Sequence, residues 1–366
     1  MPELGIGVDT LPSRAWGAEW KAPVPAIYHR WADFLASKAP RYTPPLGAPS
    51  PYWVAAEQRR WPAFAIALDY AGESAAPVVV DIRPATPGQD SVYVVKTMFM
   101  APDSRGDRQP LALMRVYAVQ ERGQWVFSNA LPRDTREWQH TTVGPFNYVY
   151  PASHHFDRAR AQRAVAFADS VAGAFGVARP SNFDYYLTDG PDEMYRIIGL
   201  DFFPSSTDGG GFTAAVDRLL VSGNPSLGEE YRHEIVHVVL ASLPTRGVHS
   251  LVWEGIATWL GGTLGMSAAE SRRKYAAYLR AHPGVTLDSI LAEKTYDQGF
   301  RPGGAALCQM VLERGGMRAL KELLGAGRTS DDLESAATRI MGMSWPEIQR
   351  EWRRVATRQK SKGQST

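Results

Sequence analysis

Cysteine is nearly missing from this 366-residue sequence: Cys308 stands alone. One thiol excludes an intrachain disulfide framework and any metal site built from several thiolates, so a metal here would be held by nitrogen and oxygen. Cys308 itself lies between Leu307 and Met310 in an apolar helical pattern and reads as core. A surplus of charge is missing too. The formal net charge is +2, and no Lys/Arg-rich run precedes the C-terminal tail, which argues against nucleic acid and anionic membrane as partners. The tail (Arg353, Arg354, Arg358, Lys360, Lys362) reads as the solvated end of a last helix. No stretch of about eighteen apolar residues is present, so no membrane insertion is expected. The first twenty residues lack the basic start and apolar centre of a secretory signal. A soluble protein is expected, and the absent disulfides with the many Trp and Pro residues are compatible with a periplasmic or secreted location after loss of a leader. The sequence gives no indication of oligomeric state.

What is present divides into two patterns, and two domains are expected, residues 1–152 and 153–366. The first opens with helical candidates at Ile27 to Ser37 and Val54 to Tyr70, separated by a Pro-rich loop from Arg41 to Pro51. Strand candidates follow at Val78 to Ile82, Ser91 to Met100, Leu111 to Gln120, Gln124 to Ala130 and Thr141 to Tyr150, rich in Val, Tyr, Phe and Thr and separated by turn residues. Helices followed by antiparallel strands make an α+β unit. Its element order resembles that of the nuclear-transport-factor-2-like domains. From Phe156 onward the pattern is mainly helical: Phe156 to Phe175 has amphipathic spacing, Phe183 to Leu187 reads as a strand, and a Gly-rich segment leads into a small hairpin that ends at Val221.

The chemistry is concentrated in His233-Glu234-Ile235-Val236-His237. The surrounding segment, Glu229 to Leu243, has its apolar residues on one helical side, and Ser226 with Glu229 predicts a capping box at its start. Residues four apart on a helix lie one above the other, so both imidazoles can close on a single ion. Glu234 is rotated by about a quarter turn, beside the metal rather than on it. A catalytic zinc site needs a third protein donor. Glu254 supplies it: after the turn-rich Leu243 to Gly247, Ser250 is expected to cap a second helix carrying Trp253-Glu254-Gly255-Ile256-Ala257. Two helices joined by a short loop pack antiparallel and bring Glu254 toward the first. The small Gly255 and Ala257 are expected to let the two helices approach.

Together the HEIVH helix and the downstream W-E-G-I-A segment resemble the gluzincin metallopeptidases, the group of thermolysin and the zinc aminopeptidases. The resemblance covers roughly Phe183 to Trp352. It implies a zincin-like catalytic domain with a small edge-stranded sheet and one zinc ion held by His233, His237 and Glu254. It also implies that Glu234 activates a metal-bound water to hydrolyse a peptide or protein substrate. The edge strand around Gly211, Phe212 and Thr213 would pair with the extended substrate. Two departures stand out. The His237-to-Glu254 spacing is slightly shorter than in the large aminopeptidases, and no tyrosine clearly fills the place of the group's oxyanion stabiliser ahead of Gly303-Gly304-Ala305-Ala306. Phe300 stands nearest, and Tyr296, Arg301 or His249 are the candidates to replace it.

Three other readings compete. His and Glu here could be incidental polar residues of a helix, but imidazoles set against Ile235, Val236, Val238 and Val239 without partners would cost one to several kcal/mol, roughly. A metal-binding but catalytically silent peptide-binding protein is compatible with the missing tyrosine. A structural zinc site fits less well, because three ligands and an adjacent Glu leave one position open. His154-His155 with Asp157 reads as a linker and helix cap, and the metzincin pattern fails because Leu240 and Leu243 stand where Gly and His are required.

Overall fold

The computed structural model describes residues 22–36, 51–57, 76–103, 105–203, 210–214, 218–243, 247–292 and 299–358. The chain is mixed α/β, with an N-terminal antiparallel sheet followed by a mainly helical region. In chain order it forms α1 (Val24–Ala36), β1 (Ala76–Thr86), β2 (Gln89–Pro102), β3 (Arg108–Glu121), β4 (Gln124–Ser128), α2 (Ala130–Asp134), β5 (Gln139–Val143) and β6 (Phe146–Tyr150). Then follow α3 (Arg158–Phe175), β7 (Phe183–Leu187), α4 (Pro191–Ile197), β8 (Leu200–Phe202), β9 (Gly211–Ala214) and β10 (Leu219–Ser222). The remainder is helical: α5 (Arg232–Leu240), α6 (Ser250–Gly261), α7 (Ala268–Ala281), α8 (Leu287–Ala292), α9 (Phe300–Leu324), α10 (Ser330–Met341) and α11 (Trp345–Thr357). Among the described residues no helix is long and apolar enough to cross a membrane.

Two compact units result. The first holds Met1–Gln139, Val149–Ser153 and Thr188–Asp208; the second holds His140–Tyr148, His154–Leu187 and Gly209–Thr366. Residues 188–208, which a single cut at 152/153 would give to the C-terminal domain, thus lie in the first unit.

In the first unit β1 to β4 pair antiparallel in sequence order, and β8 pairs with β3. Alternation sets the two faces. Tyr93, Val95, Thr97 and Phe99 of β2 and Ala112, Met114, Val116 and Ala118 of β3 are buried. Onto the inward side α1 lays Trp31, whose indole N–H donates to Thr97 Oγ1 at 2.8 Å. The Trp31 ring packs with Phe34 and Phe127, and Phe34 packs with Trp53. The expected helix at Val54 to Tyr70 is, within the described residues, only a 3-10 turn at Ala55–Glu57; its remainder lies outside them.

A correction concerns Thr141 to Tyr150. The Gly144-Pro145 turn, with Gly144 at φ +59°, splits it into β5 and β6. Both strands join the second unit's sheet, ordered β5-β6-β7-β10-β9, rather than the N-terminal one. In that sheet β10 runs parallel to β7 and antiparallel to β9, which forms one edge among the described residues. Helix α5 packs against α3, α6 and β9.

Candidate metal centre

The approach to the motif differs from the sequence expectation. The chain makes a 3-10 turn at Gly228–Glu230, and α5 begins only at Arg232 and ends at Leu240. No Ser226–Glu229 capping box forms. The Ser226 hydroxyl donates to Asn224 Oδ1 at 2.6 Å. The buried Glu229 carboxylate accepts from the Asp157 amide at 2.8 Å and lies 2.9 Å from His154 Nε2. A buried carboxylate takes the partners that satisfy it best, and these two are distant in sequence. Asp157 meanwhile caps α3, accepting from the Arg160 amide as expected.

On α5 the two imidazoles lie one turn apart with ring centroids 5.0 Å from each other. His233 Nδ1 lies 2.8 Å from the Gly262 carbonyl, which can only accept, so this nitrogen carries the hydrogen and Nε2 presents a lone pair in the neutral ring. His237 stacks on Trp253 at 4.8 Å and 23°. From α6, Glu254 extends between the rings: Oε2 is 3.3 Å from His233 Nε2 and Oε1 is 3.4 Å from His237 Nε2. One donor atom from each of the three residues lies within 4.8 Å of the others. Two imidazoles and a carboxylate are a donor set suited to zinc with a position left open, so the residues present fit the ion. Buried His237 Nδ1 has no hydrogen-bond partner among the described residues, which leaves Nε2 as the nitrogen directed to the shared point.

The three side chains are electrostatically coupled. Burial works against ionisation of Glu254, but the hydrogen bonds and charges of His233 and His237 outweigh it and hold the carboxyl well below its usual range. For His233 burial acts against the charge, and the Glu254 carboxylate overrides it and raises the imidazole. Arg301, at the start of α9, also donates from Nε to Glu254 Oε2 at 2.9 Å.

Helix packing explains how Glu254 gets there, and it differs from the expected role of Gly255. That glycine faces α9: a Cβ on it would stand 2.3 Å from the Gly304 carbonyl carbon, and one on Gly304 would stand 2.1 Å from Leu251 O. The close approach to α5 comes instead at Gly261, where a Cβ would fall 2.5 Å from the His233 amide nitrogen. The cap also differs. His249, not Ser250, is the N-cap of α6, its Nδ1 accepting from the Leu251 amide at 3.1 Å. Burial lowers its pKa, which suits an acceptor nitrogen.

Glu234 is buried beside this trio and is not part of it. The Thr213 hydroxyl contacts its Oε2 at 3.0 Å and its main-chain carbonyl at 3.2 Å, tying the helix to strand β9. Gly211 on the same strand lies against the Tyr231 ring, and Phe212 pairs with Val221 of β10. Tyr231, which the sequence reading passed over, is buried immediately before α5, and its phenol feels the charges of Glu234, Arg301 and Glu254. Burial pushes that phenol up, so it stays protonated. Its position two residues before the first histidine was the available signal. Tyr296 lies outside the described residues.

No protein-family model and no curated protein matches the sequence. Solved structures do. An M1 zinc metallopeptidase from Deinococcus radiodurans is 15% identical with a TM-score of 0.36, over 77% of this chain and 61% of that one. A single-residue variant of an M1 zinc metallopeptidase from that organism, bound to the Tyr-Ser-Ala substrate, gives 14% and 0.36 over 79% and 61%. A two-domain M1 zinc metallopeptidase variant bound to L-tryptophan gives 15% and 0.37 over 80% and 63%. The chain spans less than two thirds of the length of these structures.

Proposed function

We propose that the protein is a zinc-dependent hydrolase of peptide bonds, with His233, His237 and Glu254 holding one zinc ion and Glu234 as general base. The observation that carries this reading is the meeting of the two Nε2 atoms and the Glu254 carboxylate at one point, with a second buried carboxylate alongside. When bound, zinc supplies a Lewis acid that polarises a carbonyl and brings the acidity of water near neutral pH. Glu234 takes the proton from the attacking water and delivers it to the leaving nitrogen. Thr213 holds that carboxylate by its hydroxyl, which ties the proton acceptor to the edge strand. An extended peptide laid along Gly211, Phe212 and Thr213 would gain main-chain hydrogen bonds as an added strand. Its scissile carbonyl then comes beside Glu234. Arg301 and Tyr231 are the donors that support the negative charge developing on the carbonyl oxygen. His249 is spent on the helix cap and takes no part.

Glu234→Gln should keep zinc and lose turnover by roughly a hundredfold to ten-thousandfold, measured as metal content together with cleavage of a denatured protein. Full activity in that variant would remove the assigned base. Tyr231→Phe should lower kcat with little change in KM if the phenol supports the transition state.

A second reading keeps the metal and drops catalysis, leaving a peptide-binding protein. It is favoured by the residue at the entrance to α9, where Phe300 offers no hydroxyl. Under it, peptides bind but no cleavage responds to a chelator or to returned zinc.

A further inference from the structure

The outward face of the first unit's sheet is not an ordinary solvated surface. Directly opposite one another across β2 and β3 stand Lys96 and Arg115, and in the next row of that face Arg83, Val94 and Tyr117 line up across β1, β2 and β3. Like charges opposed across strands destabilise a sheet unless anions hold them. Here Asp201 lies 2.6 Å from Lys96 Nζ and 2.9 Å from Arg115 Nε, and Asp134 lies 2.9 Å from Arg115 Nη2. This floor is fixed and mostly buried.

Above it is a cavity of about 580 Å³ lined by four further arginines, Arg83 from β1, Arg133 from α2, Arg136 from the turn after it and Arg196 from α4, with Asp134 and Glu137 as the acidic residues of the lining. Arg133 lies over the Tyr117 ring at 5.1 Å and has no carboxylate partner among the described residues. The ion pairs of the other three are local or distant: Arg83 with Asp81, Arg136 with Glu137, and Arg196 with Glu193 at 3.1 Å and with Asp134 at 3.9 Å. Exposed pairs of this kind contribute little and exchange readily for a better anion. Arginines drawn from separate elements around one space can grip planar or tetrahedral oxyanions by two bonds each. The space is far larger than one phosphate and lies in the range of small-molecule sites.

We propose that this cavity binds a small polyanion, a molecule carrying two or more phosphate or carboxylate groups. It is a site separate in residues from the metal centre, and its existence does not depend on hydrolase activity. The test is isothermal titration of the full chain with pyrophosphate in one arm and tricarballylate in the other, at low and high salt. Because both probes also chelate, each titration is repeated on His237→Ala. Saturable one-to-one binding should weaken with salt and fall by about tenfold or more in Arg133→Ala and in Arg196→Ala. It should persist in His237→Ala. Binding of pyrophosphate alone assigns a phosphate ligand, of tricarballylate alone a carboxylate ligand, and of both a site that reads charge. Should Arg133→Ala fail to fold, Arg83→Ala removes a rim cation whose side chain is 66% exposed. Absence of binding by either probe, indifference to the arginine changes, or loss in His237→Ala overturns the proposal.

Discussion

Glu229 stands four residues before His233 and anchors the entry to the helix that carries His233 and His237. Burial opposes its charge, but the His154 ring and the Asp157 amide outweigh this and hold the carboxyl below its ordinary value of 4.5. A depressed folded value means that the contribution to stability is present above that ordinary value. It is lost as pH falls through the folded one. Glu229→Ala should therefore cost about 3 kcal/mol at neutral pH, and denaturant titrations at successively lower pH should show the difference from the parent shrinking. The residue scale is also where the sequence was most and least legible. That His233 and His237 share one helix face was readable because four-residue spacing on a helix is a local rule, and the approach of Glu254 followed from the short connection between two helices. The pairing of Glu229 with His154 was not, since nothing local joins residues 75 apart in sequence. Nor was Tyr231, whose charge contacts arise only when α5, α6 and α9 are assembled.

Among elements, α6 decides whether the carboxylate arrives. It is fixed against α9 by the contact between Gly255 and Gly304, too close for any side chain. Gly304→Ala would drive a methyl into Leu251 O and should destabilise the protein by roughly 3 kcal/mol or more while loosening zinc. Gly284→Ala, where a Cβ meets nothing within 4 Å, should leave the denaturation midpoint nearly unchanged. Equal effects of the two would contradict the packing account. Strands were legible from alternation, as Phe183–Leu187 shows. Which sheet a strand joins was not. The run from Thr141 to Tyr150 looks continuous in residue type, yet the Gly144-Pro145 turn breaks it and its halves go to the second sheet. The helix ends misjudged at Glu229 and Ser250 have different causes: the Glu229 carboxylate takes partners distant in sequence, whereas at Ser250 the cap falls one residue earlier because the His249 ring accepts from the Leu251 amide.

For the whole molecule, the interleaving of two units along the chain was beyond sequence patterning, because compactness is a property of contacts between distant segments. A ligand that binds only the folded state stabilises what it touches, by about 2.7 kcal/mol at a hundredfold excess over Kd. Zinc should therefore slow hydrogen exchange in α5 and α6 while leaving the long β2–β3 pairing of the first unit as it was. The most direct test of the central claim is zinc stoichiometry by elemental analysis after chelation, return of zinc and dialysis, on the parent and four variants. The account predicts one zinc per chain in the parent and in Glu234→Gln, and loss of zinc in His233→Ala, His237→Ala and Glu254→Ala. Zinc retained in all three of those variants, or absent from the parent, would contradict it.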